Sequence, residues 1–195
     1  KEVGRLRTRR YRDEEHVLLI EGYRELLRAL DNGWNPHTLF YCRELFLGEN
    51  EDALIRRCAE AGCAVFSCSE PVFRKLAYRD RPDGLLALAP QRHRTLDDLP
   101  LGKTPFLLVA EAIEKPGNLG TMLRSADAAG VDAVIVCDPC TDLFNPNVVR
   151  ASIGTLFSVP VAAVGTEEVI GWLKGKGIRT LAATPHTDCD YASVD

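Results

Sequence analysis

The chain has 195 residues, 46% hydrophobic and 27% charged, and a net charge of −4, the make-up of a soluble globular protein. That length suits one ordinary domain or two small ones. No apolar run approaches the roughly 18 residues needed to cross a bilayer, and the basic N-terminus has no apolar stretch behind it. A membrane protein and a secreted precursor are disfavoured, and a cytoplasmic location is expected. Seven cysteines, an odd number spread over both halves, argue against a disulfide framework.

The first twelve residues hold Lys1, Arg5, Arg7, Arg9, Arg10 and Arg12 against Glu2 alone. On an acidic protein such an arm points to a local polyanion contact, or else to a solvated, frayed terminus. Residues 17–20 read as a short strand. Tyr23, Leu26, Leu27 and Leu30 recur at helical spacing up to Asn32-Gly33. Residues 38–42 and 63–66 read as strands, with a helix between them that Asn50 can cap. Ser69 can cap a third helix with Pro71 in its first turn, and residues 85–89 read as a buried strand. Residues 1–90 thus form an α/β unit, and the polar, proline-bearing stretch 91–103 a linker.

Residues 104–195 repeat the alternation. Strands are expected at 106–110, 133–137, 159–163 and 180–183, and helices at 119–129, 147–156 and 167–176. Gly130 and Gly177 serve as helix stops. Such alternation implies a mainly parallel sheet with helices on both faces. Residues 180–184 read as a central buried strand, followed by a short polar run with no closing element.

Residues 111–130, EAIEKPGNLGTMLRSADAAG, are the most informative stretch. A strand leads through a tight polar loop into a helix N-terminus, where free N–H groups and the helix dipole make a binding site. Asn118 is placed to cap that helix, and Arg124, about two turns in, is a permanent cation whose planar fork suits phosphate. An ion pair on the helix surface is the plainer role for Arg124. Cys137 and Cys140 have redox or zinc spacing, yet no second pair completes four ligands and the following residues read as loop. No metal is expected, and the cysteines read as small core residues.

Three segments resemble the SpoU–TrmH branch of the SPOUT methyltransferases. Residues 116–126, PGNLGTMLRSA, are similar to that family's first motif. Residues 145–157, NPNVVRASIGTLF, running on to Val159-Pro160-Val161, are similar to the stretch after its second strand. Arg9-Arg10-Tyr11-Arg12 followed by Leu18-Leu19-Ile20-Glu21-Gly22 resembles the start of a ribosomal-protein-L30e-like RNA-binding domain. The fold class implied is α/β: an L30e-like domain, then a parallel-sheet SPOUT (α/β knot) domain.

The resemblance implies methylation of a ribose 2′-hydroxyl in ribosomal or transfer RNA, ribosomal RNA being favoured, with S-adenosylmethionine as cofactor and a homodimer as the working form. Arg124 and Asn118 are its catalytic candidates. Thr184 and Pro185 are its cofactor contacts, Arg9, Arg10 and Arg12 face the RNA, and Arg150 matches an arginine that faces the RNA or the partner subunit. Family members continue with a glycine-containing second motif and a third bearing serine and asparagine, which thread the knot. Neither lies before Asp195, so within these residues the knot is not expected to close, nor the cofactor pocket to be complete. Two other readings stand beside this one. The first is a catalytically inactive RNA-binding protein of the same fold. The second is a nucleotide-binding or thiol-redox enzyme using Cys137 and Cys140, which lacks a G-x-G-x-x-G after its first strand.

Overall fold

Residues 2–184, 186–187 and 189–193 are described by the structure, a computed structural model. The basic arm is helical rather than frayed, forming α1 (Glu2–Arg5) and α2 (Arg9–Glu15). Along α2, Arg9 pairs with Asp13 and Arg10 with Glu14 one turn on, which supports so short a helix. There follow β1 (Val17–Glu21), α3 (Tyr23–Asp31), β2 (Thr38–Tyr41), α4 (Glu51–Glu60), β3 (Ala64–Ser67), α5 (Glu70–Leu76) and β4 (Leu85–Pro90). The expected elements are all there. Asn50 and Ser69 hold the positions before α4 and α5, but neither side chain makes the capping bond.

These strands form one sheet in the order β1-β4-β2-β3, with β4 antiparallel to both neighbours and β2 parallel to β3. The second lobe contains β5 (Leu107–Glu111), α6 (Pro116–Ala129), β6 (Ala133–Cys137), α7 (Pro146–Ser152), α8 (Thr155–Ser158), β7 (Val161–Val164) and α9 (Thr166–Gly175). Its sheet, β5-β6-β7, is wholly parallel, as the strand–helix alternation requires.

The halves are joined more closely than a polar linker suggests. One hydrophobic core runs from Leu18 and Ile20 of β1 through Leu119 and Leu123 of α6 and Val148 of α7 to Val134 of β6. Trp34 sets its ring edge-on to Phe157, centroids 5.2 Å apart, and tilted against Phe144 at 6.3 Å. Within the stretch read as linker, Thr95 and Asp98 close a capping box, and Leu96 and Leu99 are buried with Ile135, Ala162, Val169 and Leu173. The second half of that stretch is therefore part of the second lobe's core.

Two expectations are corrected. The helix expected at 147–156 is split, because Ile153 (φ 51°) and Gly154 (φ 81°) adopt left-handed backbone between α7 and α8. Gly154 is also crowded: a Cβ there would lie 3.0 Å from Arg28 Cβ and 3.2 Å from Glu25 Cα of α3. The break lets α8 lie against α3. The central strand expected at 180–184 is absent: those residues are exposed coil outside the ladder, with Leu181 64% exposed. Thr180 and Thr184 are β-branched, but Leu181 is the one large apolar side chain of the five, too little burial to offset ordering a strand without covered faces.

Candidate functional site

α6 starts at Pro116, earlier than its apolar periodicity indicates, because proline fits the first helical position and has no N–H to lose. The residue before it, Lys115, is extended and makes no side-chain cap. Asn118 lies inside the first turn, its backbone N–H donating to the Lys115 carbonyl at 3.0 Å. The expected Asn118 cap is thus not formed. Its exposed side chain makes no hydrogen bond among the described residues. Leu119, Gly120, Leu123 and Ala126 form the buried stripe of α6 and leave Arg124 exposed.

α7 is held by a proper cap. Asn145 Oδ1 accepts from the Asn147 N–H at 2.9 Å, with Pro146 at the first helical position. Val148 and Val149 point into the core, and Arg150 is exposed. The two helices approach closely where Gly120 faces Ala151: a Cβ on Gly120 would stand 2.5 Å from Ala151 Cβ and 2.8 Å from Ser152 N. The loops before them are tied by Thr141 Oγ1, which donates to the Glu114 carbonyl at 2.9 Å.

This crossing opens an accessible cleft of about 480 Å³, lined by Pro116, Gly117 and Arg124 from α6 and by Asn147, Arg150 and Ala151 from α7. Neither Arg124 nor Arg150 has an ion-pair partner among the described residues, so the plainer role weighed for Arg124 is not seen. Two unpaired guanidiniums on one open cleft form an anion site in which both forks remain free for phosphate oxygens.

The other candidates lie elsewhere. Thr184 is exposed coil, its Oγ1 accepting from the His186 N–H at 3.2 Å, and it does not line the cleft. Pro185 lies outside the described residues. Arg9 and Arg10 are exposed but paired within α2, at 3.2 and 2.7 Å. Arg12 requires correction as an RNA contact. It is 1% exposed, ion-paired with Asp142 and bonded to the Leu6 carbonyl, so no phosphate can reach it.

Some features of this region were not foreseen. Asn147 joins the cleft because it precedes Arg150 by one turn on the same helix face, a spacing present in Asn147-Val148-Val149-Arg150. Ala112 (φ 49°) and Asp138 (φ 42°) adopt left-handed backbone just beyond β5 and β6, at the strand ends where α/β sheets carry their sites. Cys137 is buried there, and desolvation raises its thiol above the ordinary range, while Cys140 is exposed. Such a Cys137 is a poor thiolate for redox chemistry. Among the described residues no cluster suited to a metal occurs.

Comparison with known proteins bears on this geometry. The MRM3-like substrate binding domain model matches residues 1–87, and the SpoU rRNA Methylase family model matches residues 105–194. A solved RNA 2′-O ribose methyltransferase is 39% identical, with a TM-score of 0.84, over 99% of this chain and 72% of that one. The chain belongs to the SpoU rRNA methylase family. Further similar proteins include an AdoMet-bound rRNA methyltransferase from Sinorhizobium meliloti, 29% identical over 100% of this chain and 72% of that one, TM-score 0.87. A 23S rRNA guanosine 2′-O-methyltransferase of Bacillus subtilis is 27% identical over 100% of this chain and 73% of its own length. A 23S rRNA uridine 2′-O-methyltransferase of Streptomyces viridochromogenes is 28% identical over 97% of this chain and 68% of its own.

Proposed function

We propose that the protein methylates a ribose 2′-hydroxyl of ribosomal RNA with S-adenosylmethionine as methyl donor. The observation that carries this reading is the meeting of Arg124 and Arg150, both unpaired among the described residues, on the α6–α7 cleft of a SpoU-family fold. A 2′-hydroxyl is a weak nucleophile and reacts only when aligned and relieved of its proton. Guanidiniums are poor bases, so Arg124 and Arg150 act by gripping the neighbouring phosphate and fixing the ribose. Asn118, exposed on the first turn of α6 with its amide unengaged, is the proposed ribose contact.

The two guanidiniums suit the phosphate of the RNA rather than the sulfonium cation of the donor. S-adenosylmethionine supplies an electrophilic methyl group when bound. Its proposed contacts are Thr184 and Pro185. Arg9 and Arg10, on the exposed face of α2, are the proposed phosphate contacts of the N-terminal domain, where affinity falls as salt rises. A homodimer is the proposed working form, supported by apolar side chains left exposed beside β5 and beyond α9: Phe106 at 56%, Val109 at 38% and Leu181. A cytoplasmic setting is supported by seven cysteines that are all free. No described helix is long and apolar enough to cross a membrane.

The test is transfer of tritium from S-adenosylmethionine to ribosomal RNA by the full-length protein, with the label mapped to an alkali-resistant dinucleotide. Arg124→Ala is expected to lower turnover by about 10²–10³-fold, the scale of losing one preorganised electrostatic contact, while donor binding persists. Near-normal turnover in that variant would remove Arg124 from the mechanism.

A further inference from the structure

Tyr78 belongs to the N-terminal domain, on the turn between α5 and β4, yet its hydroxyl accepts a hydrogen bond from Asn147 Nδ2 at 2.8 Å. Asn147 lines the cleft, and Arg150, one helical turn on, lines both the cleft and a narrow crevice bounded by Glu21, Tyr78 and Arg79. The turn carrying Tyr78 is itself anchored. Glu21 at the end of β1 accepts from the Tyr78 N–H at 2.7 Å and from the Arg79 N–H at 3.2 Å. Arg79 reaches back to Glu25 at 2.6 Å, and Asp83 accepts from the Tyr23 N–H at 3.0 Å. A half-buried phenol on a turn fixed at several points is a rigid strut, and its outer end meets the wall that holds the reacting strand.

We infer that Tyr78 is a positioning residue for methyl transfer, holding the Asn147 amide and thereby the Arg150 face of α7 in register with Arg124; this rests on the methyltransferase reading above. With Nδ2 committed to Tyr78, the Asn147 amide cannot rotate freely, and its Oδ1 is left as an acceptor on a residue that lines the cleft. The N-terminal domain that captures RNA is in this way mechanically joined to the cleft that orients it.

Tyr78→Phe, Asn147→Ala and the double variant, each in the full-length protein, test this by tritium transfer to ribosomal RNA, with donor affinity measured by calorimetry. Tyr78→Phe should lower kcat/KM for RNA about three- to tenfold, the worth of one neutral hydrogen bond, and leave donor affinity unchanged. Asn147→Ala should lose at least as much, and the double variant no more than Asn147→Ala alone. Normal turnover by Tyr78→Phe, losses that multiply in the double variant, or an equal loss of donor affinity would each overturn the inference. A wild-type protein that transfers no methyl group to ribosomal RNA would overturn the reading beneath it as well.

Discussion

Arg12 and Asp142 come from opposite halves of the chain and form a buried ion pair, with a second guanidinium nitrogen on the Leu6 carbonyl and Nε unpartnered among the described residues. Removing one member of such a pair leaves a charge stranded in the interior, at a cost of about 3–5 kcal/mol. Arg12→Ala should therefore lower stability by about that amount in denaturant unfolding. Arg9→Ala and Arg10→Ala should leave the unfolding midpoint in place and instead flatten the salt dependence of RNA binding, by about one unit of slope each. All three read alike in the sequence as parts of one basic run. Only the folding of α2 turns one of them inward, because successive residues of a helix face different directions. Glu21 offers a pH test. Burial raises its carboxyl above the ordinary 4.5, outweighing the Tyr78 and Arg79 contacts that oppose the shift. The folded state then binds more protons than the unfolded state from pH 4.5 upward, so this group's contribution falls as pH rises through the raised value. The melting temperature of Glu21→Gln should accordingly decline less than that of the wild type between pH 4.5 and 7.

At the scale of elements, the α6–α7 crossing makes the site. Gly120 permits it, and Gly120→Ala should cost about 1–3 kcal/mol by overpacking against Ala151. Methyl transfer should fall as well, since Arg124 and Arg150 would be wedged apart. Gly117→Ala, with open space around its Cβ, should be as stable as the wild type. Thermal unfolding of the two variants, with tritium transfer by Gly120→Ala, checks this. The positions of α6 and α7 were largely legible, since apolar spacing is a local signal, though both helices start before the expected residue, at Pro116 and Pro146. The break between α7 and α8 was missed although Gly154 is a poor helix former, because whether a glycine ends a helix or rides within it depends on what packs beside it, here α3. The sheet order β1-β4-β2-β3 was likewise hidden, as periodicity reports that a strand exists and not which strand it pairs with.

Over the whole molecule, the two lobes share one core, in which Trp34 packs with Phe144 and Phe157. Unfolding should therefore be a single transition, with far-UV circular dichroism and tryptophan fluorescence coinciding. Trp34→Ala should shift that one transition by about 3–5 kcal/mol rather than split it. Separate transitions would show that the lobes fold independently. The sequence alone determined the alternating elements, the parallel second sheet and the motif bearing Asn118 and Arg124, because these follow from residue spacing within a few turns of chain. The tertiary structure decided which cations meet. It put Arg150 across from Arg124, sank Arg12 against Asp142 and brought Tyr78 to Asn147. Each of those contacts joins separate elements, and their distances are set by how buried surfaces fit together rather than by any local pattern.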